Sequence, residues 1–112
     1  MILQRGEVVL IRIDFHQASG GKVRPALILL DSGDEDFVAA PITSQSRNAE
    51  FDLPFHGWKE AGLNVASTAR IHKLTVLSND EVARRIGTLV DPDLQALTRV
   101  LRSAFCGENK AG

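Results

Sequence analysis

The pair Arg24-Pro25 closes a glycine-bearing loop and opens the apolar run ALILL, so a guanidinium stands at the mouth of a strand with no acidic residue beside it in the chain. If 25–30 and 37–42 form a hairpin around the turn at 31–36, facing residues carry numbers that sum to about 67. Arg24 then lies opposite Thr43 at the open end, where Ser44 and Gln45 follow and the loop with His16 and Lys22 arrives. Convergent donors of this kind suit a phosphate better than a neutral ligand. Arg70 and His72 make a second cluster, with Lys73 next to them. At i and i+2 on a strand, Arg70 and His72 would project from one face, about 7 Å apart. An imidazole beside a fixed cation is an acid–base pair in the making. Around a phosphodiester, such groups support cleavage of RNA by its own 2′-hydroxyl. One takes the hydroxyl proton, another protonates the leaving oxygen, and a guanidinium stabilises the phosphorane-like transition state. That chemistry requires no metal.

Each of these residues also has a plainer reading. A strand-end arginine is commonly a solvated side chain packing its stem, and Thr-Ser-Gln is ordinary loop composition. His72 on an alternating strand is equally a surface or subunit-contact histidine. His16 and His56 sit in loops without a placed partner, and Glu7 and Asp14 read as polar-face strand residues. Trp58 in HGWKEAG reads as a packing anchor rather than a platform for a base. The chain carries no phosphate-binding loop, dinucleotide glycine fingerprint, HExxH or nucleophile elbow. Spacing alone therefore leads as far as a phosphate-facing site.

The elements that must position these side chains follow from periodicity. In EVVLIRIDF, Val9, Ile11, Ile13 and Phe15 share one face and Arg12 and Asp14 the other, as in a half-buried strand. HQASGGK is a loop, ALILL a strand covered on both faces, DSGDED a turn, and FVAAPI the return strand. TSQSRNAE is a polar loop, and Pro54 makes FDLPF an edge strand. STARIHKLTVL, 67–77, alternates as one strand, and EVARRIGTLV is read as another because β-branched residues flank Gly87. Asp91 is placed as a helix N-cap with Pro92 at the first helical position and Gly107 at the end. Leu94, Leu97, Leu101, Ala104 and Phe105 form the apolar stripe between them. Several short strands and one terminal helix predict a mainly β, α+β fold: a small, partly closed antiparallel sheet in one domain, 1–112.

Composition bounds the rest. A chain of 112 residues with 44% hydrophobic and 24% charged residues is an ordinary globular domain. Its apolar runs are far too short for a bilayer, and MILQRGEVV lacks a signal-peptide core, so a cytoplasmic protein is expected. The single Cys106 excludes an internal disulfide and is read as a thiol at a helix end in a reducing compartment. With a net charge of −1, a polyanionic partner has to be met by a local patch.

RGEVVLIRIDF, the glycine loop into KVRPALILL, PITSQ, ARIHKL and a terminal helix, in that order over about residues 5 to 105, resemble the PemK/MazF family of toxin ribonucleases. The resemblance implies an SH3-like β-barrel with a C-terminal helix, a homodimer, and cofactor-free, metal-independent cleavage of single-stranded RNA. It implies a cognate antitoxin whose tail covers the RNA groove. Residue by residue, it assigns Arg24 and Arg70 to the active site and Thr43 and Ser44 to the phosphate; His16, Lys22, Gln45 and Lys73, placed around that end of the sheet, are expected as further RNA contacts. Where some members carry an aspartate base two residues after the later arginine, this chain has His72. Its first loop, HQASGGKV, also lacks the glutamate that many relatives have there. Two other readings stay open: a gyrase-targeting toxin on the same fold, and a catalytically silent RNA-binding module.

Overall fold

The central element is β2 (Lys22–Asp31), held between β1 (Glu7–Ile13) and β3 (Asp36–Thr43) in a three-strand antiparallel meander. The computed structural model describes residues 2–13, 22–45 and 48–107. Pairing of β2 with β3 follows the expected register at Ala26–Pro41, Leu27–Ala40 and Ile28–Ala39, then slips by one at a bulge before Leu30–Val38. Alternate side chains of β2 enter two different cores. Leu27 and Leu29 join Val8, Ala40, Ile42 and Leu97 on the side of the helix, while Ala26 and Ile28 join Val9, Ile11, Phe37 and Ala39 on the other. The strand is thus covered on both faces, as its unbroken apolar run requires. β1 departs from the half-buried expectation, because Val8 and Val9 are consecutive and both fully buried. Only beyond them does one face open to solvent, at Arg12.

Strands β4 (Asp52–Pro54), β5 (Thr68–Arg70), β6 (Thr75–Ser78) and β7 (Val82–Thr88) complete a seven-stranded sheet of order β4-β5-β3-β2-β1-β7, with β6 also paired to β3. The expectation of a small antiparallel sheet with one terminal helix is met, and the sheet does not close, since β4 and β7 remain at its edges. The segment expected to be one strand over 67–77 is two. Between β5 and β6 a 3₁₀ turn, Ile71–Lys73, interrupts it, so that β5 pairs with Ile42 and Thr43 and β6 with Asp36 to Ala39. The cause is Ile71: its side chain is fully buried, and its N–H donates to the Phe51 carbonyl at 3.1 Å rather than to β3. Alternation of apolar and polar residues there reflects one anchored side chain, not a continuous pleat.

Helix α1 (Asp91–Cys106) packs Leu97, Leu94 and Leu101 onto the larger core and ends at Gly107, whose φ of 67° is left-handed. Phe105, the last residue of the expected stripe, is 56% exposed. Asp91 is not the N-cap but the first helical residue, and Val90 holds the cap position without a side-chain bond. Asp93 does the tethering instead. It is fully buried and accepts from the backbone N–H groups of His56 (3.2 Å) and Gly57 (2.9 Å), fastening the first helical turn to the connector after β4. The same connector holds Trp58 half-buried against the larger core, as a packing anchor should be. At the far end of the β2–β3 hairpin, Asp31 accepts from the N–H groups of Leu3 and Gly33, which holds its carboxyl below the usual value.

Asp93→Ala leaves two backbone donors without acceptors. Each such donor costs roughly 1–3 kcal/mol, so the variant is expected to lose about 2–6 kcal/mol in chemical denaturation. Asp93→Asn, keeping one acceptor oxygen, should lose less.

Candidate functional site

At the open end of the meander the strands separate around a cleft of about 690 Å³. Its floor is apolar, made by Leu10, Pro25, Ile42, Leu63 and Ile86. Its rim is polar: Arg24 from β2, Thr43, Ser44 and Gln45 from the end of β3, Asn64 and Ser67 from the connector before β5, and Arg84 from β7. Arg24 and Thr43 both line the cleft, beyond the last residues that β2 and β3 pair with each other, Ala26 and Pro41. Thr43 Oγ1 accepts from the Gln45 N–H at 3.1 Å, which turns the chain out of β3 and leaves Ser44 and Gln45 exposed on the rim. Arg24 is exposed and makes no hydrogen bond or ion pair among the described residues. A free guanidinium, hydroxyls and amides around an apolar floor form an anion site with room beside it for a flat organic group.

Lys22 begins β2 opposite Ile13, exposed next to this end of the sheet. Lys73 shares with Arg24 a smaller groove of about 160 Å³, floored by Ile11, Ile13, Ala26 and Pro41. Arg70 and His72 do not reach the cleft. Arg70 is opposite Asp52 in the β4–β5 ladder and binds its carboxylate at 3.1 Å, and the Asp52 side chain is only 2% exposed. His72 lies in the 3₁₀ turn rather than on a strand, exposed, with its ring 6.3 Å from that of Phe51. The expected projection of the two from one strand face is therefore corrected: the turn that buries Ile71 rotates His72 out of the ladder. His16 lies outside the described residues.

Arg84 and Asn64 were not anticipated. A signal for Arg84 was present: once EVARRIGTLV is a strand, adjacent Arg84 and Arg85 must point to opposite faces. Arg85 turns to Glu7, at 2.6 and 3.0 Å, and that carboxylate raises its pKa further. Arg84 is left for the other face, beside Leu10. Asn64 carries no signal, since the connector HGWKEAGLN has no period. What holds that connector at the cleft is a pair of glycines. A side chain at Gly62, where φ is 91°, would collide with the Ile86 carbonyl, and one at Gly87 with the Ala61 carbonyl. Among the described residues no group of His, Cys, Asp and Glu side chains could hold a metal ion, and no helix is long and apolar enough to cross a membrane.

Fold and cleft together define a small antiparallel-sheet protein with one terminal helix and an apolar-floored, polar-rimmed cleft at the open end of its central strands. The chain belongs to the PemK-like, MazF-like toxins of type II toxin-antitoxin systems, whose family pattern it matches over residues 4–105. Among solved structures it is similar to the Mycobacterium tuberculosis toxin MazF-mt6 (24% identity over 89% of this chain and 96% of that one, TM-score 0.70). It is similar to a MazE-MazF structure from Deinococcus radiodurans (17% identity, 95% and 98% covered, TM-score 0.75). A mycobacterial endoribonuclease in complex with its cognate antitoxin is a further neighbour (18% identity, 91% and 93% covered, TM-score 0.66). No match is found among curated proteins. At these identities the structural neighbours establish the fold.

The two arginines should separate in a stability measurement. Arg24→Ala is expected to change unfolding free energy by about 0.5 kcal/mol or less, as for an uncommitted surface side chain. Arg70→Ala removes the cation from a nearly buried carboxylate, leaving it, among the described residues, the Ala49 N–H, and should cost on the order of 1–3 kcal/mol.

Proposed function

We propose that this toxin is an endoribonuclease that cuts single-stranded RNA through the RNA's own 2′-hydroxyl. The observation that carries the reading is the unpaired Arg24 facing Thr43 and Ser44 across an apolar-floored cleft. In this reading the Arg24 guanidinium neutralises the scissile phosphate and its charged transition state. The Thr43 and Ser44 hydroxyls and the Gln45 amide hold the phosphate, and the apolar floor accepts a base. Lys22 and Lys73 flank the path of the strand. His72, one residue from Lys73, is assigned as the base that takes the 2′-hydroxyl proton, with water protonating the leaving 5′-oxygen. Because His72 lies outside the cleft, this assignment requires its turn to come within hydrogen-bond reach of the 2′-hydroxyl beside the phosphate at Arg24. The structural neighbour that is an endoribonuclease with a cognate antitoxin supports both the activity and a protein inhibitor. The inhibitor proposed here is an antitoxin with an acidic segment that occupies the same cleft, and the working unit is a homodimer.

A catalytically silent RNA-binding module is the second reading, and one observation favours it: Arg70 is held by Asp52 and His72 lies outside the cleft. Such a protein would bind through Arg24 and need no titrating group.

Incubation of folded, antitoxin-free protein with a mixed-sequence single-stranded RNA in EDTA should yield discrete ends, and Arg24→Ala should remove them. Intact RNA at high enzyme concentration would overturn the catalytic reading. His72→Ala is expected to slow cleavage by roughly 100-fold, the loss typical of a general base, without altering RNA binding. An unchanged rate would move the base elsewhere.

A further inference from the structure

We propose that Arg84 is a second phosphate grip in the cleft, holding the strand at a nucleotide other than the one Arg24 contacts. This deepens the reading of the cleft as an RNA site and rests on it.

The argument begins with how the chain disposes of its arginines. Those described before the helix are Arg5, Arg12, Arg24, Arg70, Arg84 and Arg85. Arg5 donates to the Leu29 carbonyl, Arg12 to the carbonyls of Asp80 and Val82, Arg70 to Asp52, and Arg85 to Glu7 and the Ile2 carbonyl. Arg24 and Arg84 alone among these make no hydrogen bond or ion pair with a described residue, and both line the one cleft. The sheet thus fixes every other arginine of this group in the fold and leaves two facing the same space.

Their placement shows why they would not share one phosphate. Arg24 is opposite Ile11 on one side of β1, and Arg84 is opposite Leu10 on the other. Leu10 and Ile11 are consecutive, so the two side chains start on opposite faces of the sheet, and Arg24, which also lines the smaller groove, enters the cleft at its edge. Two strand spacings separate their backbones, about 10 Å. A polyanion lying along the cleft would meet one cation on each side, whereas a single small anion would meet one of them. The strand that bears Arg84 also touches, at Ile86–Gly87, the connector residues Ala61–Gly62 that lie just before Asn64. The grip is therefore built on a strand backed by a rigid backbone contact. With the whole chain at a net charge of −1, such local cations are what can hold RNA.

The test measures binding apart from cleavage. A fluorescent single strand of mixed sequence carrying 2′-deoxy sugars lacks the nucleophile, so its affinity can be followed across a salt series. Arg84→Ala should weaken binding about tenfold and flatten the slope of log K against log salt by about 0.7, the value of one lost phosphate contact on a single strand. Arg84→Lys should keep most of the slope, and Arg99→Ala, exposed on α1 away from the cleft, should change neither quantity. With RNA, Arg84→Ala should raise KM more than it lowers kcat. An Arg84→Ala slope and affinity equal to wild type overturns the grip even if RNA is cut normally. A lost slope with wild-type protein that leaves RNA intact sustains the grip and removes the cleavage reading. Absence of binding by the wild type at low salt overturns both.

Discussion

The ladder that holds β2 between β1 and β3 is the constraint on which the cleft depends. Because both faces of β2 are covered, its register cannot slide: a shift by one residue would send Leu27 and Ile28 each into the core built for the other's neighbours. That fixed register carries Arg24 to the end of the ladder opposite Thr43, beyond the last buried pair. The bulge after Ile28 lies on the other side of the covered stretch and so does not disturb this end. The arginine at the cleft is placed by apolar packing several residues away, without a polar contact of its own to a described residue.

The distribution of partners among the arginines follows from a second constraint, the supply of acceptors. Four carboxylates near the sheet are committed: Asp52 to Arg70, Glu7 to Arg85, Asp31 to backbone N–H groups, Asp93 to the helix tether. Other cations are satisfied by carbonyls left open at element ends, as Arg12 is by Asp80 and Val82. None of these acceptors faces the cleft. An arginine there stays solvated and ready for an anion, whereas a nearby carboxylate would have to be displaced before any phosphate could bind.

Much of this was legible in the residues. The hairpin register, the edge strand at Pro54, the β7 strand, and the meeting of Arg24 with Thr43 all follow from period-two patterning and turn chemistry. The failures have a common form. In STARIHKLTVL the alternation is real, but the residue at its centre, Ile71, plugs the core from a 3₁₀ turn, and periodicity alone cannot distinguish a pleat from a plug. In DPDL, Asp91 has the cap-forming side chain, yet the tertiary contact goes to Asp93, two residues on, because the His56 and Gly57 N–H groups lie there. Both misreadings concern segments whose partner is far away in the chain, which local pattern does not record.

The third wall of the cleft shows how a fold can bring an irregular connector against a strand by close approach of two backbones. Gly62 and Gly87 remove the two Cβ atoms that would keep the connector away from β7, so the backbones at Ala61–Gly62 and Ile86–Gly87 touch. The connector is secured at its other end by Trp58 against the core and by the Gly57 N–H on Asp93. Leu63 N–H donates to the Trp58 carbonyl and closes the segment on itself. Asn64 therefore projects from a stretch pinned on both sides, facing the strand that bears Arg84. Position at this wall is decided by the absence of methyl groups, and it is the one part of the site whose cause lies in what the sequence leaves out.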